Sequence, residues 1–168
     1  MAPNLLRSSI HSTPLGPMVS KWTDAGLFSL VWDADGSGEK CDAKACRLLD
    51  AQLERYFKTG ASDFSEIDLD TSGWSRFHHL VYERCREIPT GETVTYKTLA
   101  TRAGNAAASR AVGAAMARNR VLLVIPCHRV ISAGGGLRGF SAPGGLETKR
   151  YLLDLESKQS FLHLEAPC

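Results

Sequence analysis

The longest uninterrupted apolar stretch in this 168-residue chain is Val121 to Pro126. A bilayer span needs roughly 20 such residues, and the N-terminus carries no signal-peptide apolar region. The chain therefore reads as soluble and cytosolic. The core of the stretch, Val121-Leu122-Leu123-Val124-Ile125, is β-branched at both ends and predicts a buried strand. That strand would deliver Pro126-Cys127-His128-Arg129-Val130 at its end. With 43% hydrophobic and 23% charged residues the chain can bury a proper core, which argues against disorder and fibrous structure. Its length fits one domain or two very small ones.

The other segments have shorter-range grammar. The first ten residues read as frayed. Met18 to Trp22 and Leu27 to Trp32 are β-prone runs joined by Asp24-Ala25-Gly26, a hairpin pattern. Leu48, Leu49, Leu53 and Phe57 recur at helical spacing, with Gly60 as a stop. Asp63 to Ser72 reads as an extended crossover. Beyond it Trp74, Phe77, Val81 and Cys85 predict a helix ending before Pro89. Thr95 is placed to N-cap a short helix carrying Leu99, Ala100 and Ala103. Gly104 and Asn105 break that helix, and Ala107 starts another with Ala111, Val112, Ala115 and Met116 on one face. Two short helices about a glycine-containing turn predict a helix-turn-helix. In the second of them Ser109, Gly113 and Ala114 leave Arg110 as the one bulky side chain on a small face, suited to close approach to a nucleic-acid backbone.

We therefore expect an α+β fold. Residues 1–72 would form a small antiparallel sheet with a covering helix, a variable structural domain. Residues 73–168 would form a mostly helical, winged-helix-like domain containing the helix-turn-helix. Charge divides at the same place. The formal charge of +2 is the sum of −4 over residues 1–72 and +6 over residues 73–168. Between Glu92 and Glu147 no acid occurs in 54 residues, where the chain average predicts about 6. The same window holds Lys97, Arg102, Arg110, Arg118, Arg120, Arg129 and Arg138. A basic, acid-free surface favours a polyanionic partner, nucleic acid above all, over a merely solvated face.

Five cysteines, odd in number and irregular in spacing, make reduced thiols the default. Cys41 and Cys46 lack the second close Cys/His pair that a tetrahedral metal site needs, so no metal is expected. Cys127 next to His128 is a nucleophile candidate, because a nearby base and positive surroundings raise the thiolate fraction. Neighbouring side chains in a strand face opposite ways, however, so the pair would need a bridging water or a bend. By itself Cys-His fits a buried thiol beside a satisfied histidine equally well.

The surrounding residues decide between these readings. Ile125-Pro126-Cys127-His128-Arg129-Val130 resembles the active-site motif of the O6-alkylguanine-DNA alkyltransferases, the methylated-DNA-protein-cysteine methyltransferases. The resemblance extends to Ile88-Pro89-Thr90-Gly91-Glu92-Thr93-Val94-Thr95-Tyr96, to Arg110-Ala111-Val112-Gly113-Ala114-Ala115-Met116, to Asn119, and to Gly144-Gly145-Leu146 with Lys149 and Leu152-Leu153 to Glu156. It is strong over residues 73–157 and loose over Thr13-Pro14-Leu15-Gly16 and the strands that follow. It implies that Cys127 takes the alkyl group from guanine O6 in an in-line displacement, with its proton passed through a water to His128, which Glu156 holds. Tyr96 would assist at guanine N3, and Asn119 would tie the recognition helix to the active-site segment. Val130, Ser141 and Met116 would bind the substrate base. The partner implied is double-stranded DNA containing O6-alkylguanine, contacted in the minor groove by Arg110, Tyr96, Ser109, Ala111, Gly113 and Asn105. The nucleotide is flipped out and Arg110 enters the stack. No cofactor is implied. The thioether product is not hydrolysed, so each monomer would act once, in the cytoplasm or in a eukaryotic nucleus.

The chain departs from the commonest family spacing by two additional residues, Ala142-Pro143, and carries Phe140 where many relatives have Tyr. A non-catalytic alkyltransferase-like lesion binder would replace Cys127, which is present. A helix-turn-helix regulator would add a sensor or dimerisation segment, and none is evident. A Cys hydrolase leaves the DNA-binding match unexplained.

Overall fold

Three antiparallel strands start the fold, and an irregular segment from the far half of the chain bonds directly onto the third. The structure is a computed structural model that describes residues 7–35, 43–61 and 63–164, with side chains as far as Ser157. The strands are β1 (Arg7–His11), β2 (Met18–Thr23) and β3 (Gly26–Trp32), in the order β1-β2-β3. β2 and β3 are the expected hairpin. β1 is not the frayed end expected, for the residues it turns inward are Ser9 and His11 rather than apolar ones. His11 Nδ1 donates to Asp50 Oδ1 at 2.6 Å, its Nε2 lies 2.7 Å from Ser20 Oγ, and Trp22 Nε1 donates to that oxygen at 2.9 Å. This Asp-His-Ser chain, buried at His11 and Ser20 and half-buried at Asp50, pins β1 to β2 and to the helix that follows. Ser20 is fully buried, so the chain is a structural network.

That helix, α1 (Lys44–Thr59), packs Leu49, Leu53 and Tyr56 inward and stops at Gly60 in the left-handed conformation, φ 75°. A Cβ on Gly60 would strike the Leu155 carbonyl, so the glycine lets α1 approach the last helix, α5 (Leu146–Leu164). Between them come α2 (Arg76–Arg86), β4 (Val94–Thr95), α3 (Tyr96–Arg102), α4 (Ser109–Ala117) and β5 (Val130–Ile131). Thr95 caps α3 as expected, its hydroxyl accepting from Thr98 N at 3.0 Å. The crossover at 63–72 is extended except for one 3-10 turn at Phe64–Glu66. β4 and β5 pair in parallel, Val94 with Val130 and Thr95 with Ile131.

The run Val121–Ile125 is buried throughout, as predicted, but it is not a strand. Leu123 takes φ +69°, with Val124 N bonded to Leu122 O, a tight turn inside the run. Its backbone groups find partners without a ladder: Leu122 N bonds to Leu30 O, Ile125 N to Val121 O, and Asn119 Oδ1 accepts from Val121 N. Apolar composition guarantees burial; it does not choose between a ladder and a turn when side-chain caps are at hand.

One contiguous apolar core crosses from the first half of the chain to the second, from Met18 and Leu49 to Val112 and Leu152. Arg120 fastens the two halves. Its guanidinium donates to the carbonyls of Phe28 (2.7 Å), Asp70 (2.9 Å) and Ser72 (3.0 Å) and stacks 3.9 Å from the Phe28 ring centroid. Among the cysteines, Cys85 and Cys127 are free, whereas Cys46 is disulfide-bonded, which corrects the expectation of reduced thiols for that residue. Cys41 and Cys168 lie outside the described residues. Spacing alone does not show which thiols folding brings together.

Candidate active site

Pro126 follows the Val121–Ile125 segment, and the chain then coils into a single 3-10 turn, Cys127–Arg129, before β5. The turn supplies the bend that a Cys-His pair on a strand would lack. All three of its side chains are buried. Asn119, just past α4, donates through Nδ2 to Ile125 O at 2.9 Å and lies near enough to the Cys127 thiol to lower its pKa. It thus ties the end of α4 to the reactive turn. Burial pushes the Cys127 thiol up, against the lowering contacts with Asn119 and Lys149, so the resting group is the neutral thiol.

Behind the thiol lies a cluster centred on Glu156, fully buried on α5. Its Oε1 accepts from His128 Nε2 (2.7 Å), Tyr56 Oη (2.8 Å) and Arg129 Nη2 (3.0 Å). Its Oε2 accepts from Arg129 Nε (2.9 Å) and Gly91 N (3.2 Å). Burial would raise this carboxyl, but the hydrogen bonds from His128 and Arg129 and the charge of Arg129 outweigh it and hold the pKa at about 2. Arg129 also donates to Ile88 O and to Thr90 Oγ1, so the Ile88–Gly91 turn closes around the same carboxylate. Burial lowers the pKa of His128 more strongly than Glu156 raises it, so the imidazole is neutral. With Nε2–H donated to Glu156, its Nδ1 must be an acceptor. Nδ1 is buried and has no hydrogen-bond partner.

In front of the thiol, β4–β5 pairing sets Tyr96 beside the reactive turn. Burial and the neighbouring Cys127 both raise the Tyr96 phenol, and its hydroxyl donates to Arg138 O at 3.1 Å. A cavity of about 580 Å³ opens between Tyr96 and α4, lined by Tyr96, Lys97, Ser109, Arg110, Gly113 and Arg138 among others. Arg110 and Ala111 are exposed, and a Cβ at Gly113 would meet the Tyr96 ring only at an ordinary contact distance of 4.0 Å. Asn105 shapes the turn between α3 and α4, its side chain accepting from Ala107 N. A larger groove of about 710 Å³ lies on the other side, along Arg84, Arg86 and Arg129. Those cations already serve Glu87, the Phe64 and Ile67 carbonyls, and Glu156.

Cys127 and His128 are not among the residues that line the smaller cavity, and Met116, Ser141 and Val130 also sit apart from its wall. Met116 is buried, its sulfur 3.9 Å from Cys85 Sγ, and Ser141 is exposed. Val130 is buried and its carbonyl accepts from Lys149 Nζ at 2.7 Å. The additional Ala142-Pro143 pair is fastened down: Ala142 is buried and Thr148 Oγ1 donates to Pro143 O at 2.6 Å. Of the seven cations in the acid-free window, Arg129 is buried and Arg120 half-buried, and Lys97, Arg102, Arg110, Arg118 and Arg138 are exposed. Sequence reasoning missed Arg129, Lys149 and Tyr56 as parts of the site. Arg129 and Lys149 stood in recognised motifs without a role. Tyr56 carried no signal beyond a helix face.

Fold and site define a protein that sets a helix-turn-helix, with its basic outer face, beside a buried His128–Glu156 pair that follows Cys127 in the chain. A family model described as the DNA-binding domain of 6-O-methylguanine DNA methyltransferase matches residues 76–158. A methylated-DNA–protein-cysteine methyltransferase of Methanosarcina acetivorans is 37% identical over 158 residues, covering 88% of this chain and 96% of that protein. That of Mycobacterium leprae is 35% identical, covering 88% and 90%. Among solved structures, the Mycobacterium tuberculosis O6-methylguanine methyltransferase superposes with a TM-score of 0.78 at 32% identity, over 96% of this chain and 95% of that one. The Mycobacterium tuberculosis OGT in complex with DNA gives 0.79 at 33% identity, over 92% and 94%. The chain belongs to the methylated-DNA–protein-cysteine methyltransferase family.

Proposed function

We propose that this protein repairs DNA by moving the alkyl group of O6-alkylguanine irreversibly onto its own Cys127, as a stoichiometric methylated-DNA-[protein]-cysteine S-methyltransferase. The observation that carries the reading is the state of His128. It is a buried neutral imidazole whose Nε2–H is held by Glu156, leaving Nδ1 a partnerless acceptor beside the thiol in the chain. A buried acceptor of this kind needs a donor. The Cys127 thiol, directly or through one water, supplies it.

In the step itself the thiol proton passes to His128 Nδ1, and sulfur attacks the alkyl carbon as the carbon–oxygen bond to guanine breaks. The imidazolium is stabilised by the Glu156 carboxylate. The electron pair left on guanine is relieved by a proton from Tyr96 at N3. Tyr96 must first release the Arg138 carbonyl, which makes the residue 132–145 loop part of substrate entry. Asn119 positions Cys127, while Val130, Ser141 and Met116 complete the guanine subsite as the loop rearranges. The base is flipped from duplex DNA, with α4 in the minor groove and Ser109, Arg110, Ala111, Gly113, Tyr96 and Asn105 along the contact. In this reading residues 1–72 form the structural domain and residues 73–168 the DNA-binding and transferase domain of a monomer. No helix among the described residues is long and apolar enough to cross a membrane, and we place the protein in the cytoplasm.

The test is incubation with a duplex carrying O6-[methyl-labelled]guanine. Label moves to wild-type protein and plateaus near one per chain, while Cys127→Ala takes none. Sustained turnover, or equal labelling of Cys127→Ala, refutes the reading.

A further inference from the structure

We propose that Tyr56, carried by α1 of the first half of the chain, is a positioning residue for the Cys-His-Glu relay, so that the active site is incomplete without the N-terminal half. The proposal rests on the transfer reading above and adds a residue to it. Tyr56 lies exactly one hundred residues before Glu156 and is fully buried, yet its hydroxyl lands on the oxygen that receives the His128 proton. Tyr56 Oη is 2.8 Å from Glu156 Oε1 and 3.4 Å from His128 Nε2. Burial and the Glu156 charge keep the phenol protonated, so it acts as a donor.

The approach that makes this contact is built in. Gly60 ends α1 against the Leu155 carbonyl, and the Tyr56 ring is held by an edge contact with Phe57 at 5.3 Å and a tilted one with Phe64 at 6.1 Å. Two consequences follow for the chemistry. Oε1 is fixed facing Nε2, which locks the imidazole in the tautomer whose Nδ1 can accept. The phenol also draws charge from Oε1, so Glu156 is a weaker base. The proton taken from the thiol then stays on the imidazole, and the resting imidazole stays neutral to lower pH.

The other charged or titratable groups facing this cluster are Arg129 from the reactive turn, Cys127 beside it, Lys149 on α5 and Tyr151 on the same helix. Tyr56→Phe changes none of them and keeps the ring. It removes one donor from Glu156, which leaves the carboxylate more basic and the imidazole easier to protonate. A His128 already protonated on Nδ1 cannot take the thiol proton, so the acid limb of the pH–rate profile should move upward.

The experiment measures the second-order rate of alkyl transfer from free O6-benzylguanine between pH 5 and 9. Wild type, Tyr56→Phe and a chain with 3-fluorotyrosine at position 56 are compared. Tyr56→Phe should be slower by about tenfold at pH 7, the equivalent of one hydrogen bond to a charged group, with its acid inflection displaced to higher pH. The fluorinated residue, a stronger donor of nearly the same size, should move the inflection the other way. Duplex DNA should show the same fold loss, since Tyr56 lies behind the site. A Tyr56→Phe profile matching wild type, or a slower rate with an unmoved inflection, overturns the proposal and leaves Tyr56 as packing. Failure of wild type itself to label Cys127 would instead overturn the transfer reading.

Discussion

Replacing Glu156 with Gln tests the centre of the site with almost no change of shape. The carboxylate accepts five hydrogen bonds, three on Oε1 and two on Oε2. An amide turns one of those oxygens into a donor, so in either orientation an NH₂ faces at least two donors. Arg129, 6% exposed, also loses its counter-charge. Removing one partner of a buried ion pair costs about 3–5 kcal/mol. The depressed pKa of the carboxyl gives a second figure. A carboxyl held at about 2, against 4.5 in the unfolded chain, stabilises the fold by about 3 kcal/mol at neutral pH. Because the folded carboxyl titrates below the unfolded one, that stability is complete above pH 4.5 and is lost as pH falls through 2. Glu156→Gln has no such group to titrate. We expect its melting temperature at pH 7 to fall by about 6–12 °C. In urea melts its deficit against wild type should be about 1 kcal/mol smaller at pH 3.5 than at pH 7. A deficit under 1 kcal/mol at pH 7, or one that is the same at both pH values, would show that the carboxylate is not the buried anion described.

Two further changes probe the surface and the packing. Arg110→Ala, at an exposed position on the cavity rim, should impair transfer from duplex DNA at least tenfold more than transfer from free alkylated base; equal losses would remove its role in the stack. Gly60→Ala should destabilise the chain by more than 1 kcal/mol in a denaturant melt, combining a left-handed φ with a clash on the Leu155 carbonyl; no change would mean that α1 and α5 are free to part.

How much of this was legible beforehand depends on the range over which each contact acts. The β2–β3 hairpin, the stop of α1 at Gly60 and the Thr95 cap are local, and turn and cap residues announce them within a few positions. The Val121–Ile125 strand failed because an apolar run specifies burial alone. Its conformation was settled by Asn119 and Leu30, which cap its backbone from outside. The basic window promised seven surface cations, yet Arg120 is tied to carbonyls of residues 28, 70 and 72, and Arg129 to a carboxylate 27 residues away.

By itself the sequence determined which residues could be reactive: a Cys-His pair after an apolar run, a small-faced helix with one arginine, and motifs in a recognisable order. Tertiary structure alone decided their chemical state. Whether His128 is neutral, which of its nitrogens is free, and which donors hold Glu156 all depend on burial and on groups up to 100 residues apart. Protonation responds to the local dielectric and to the charges within a few ångströms, and only the folded chain brings those together.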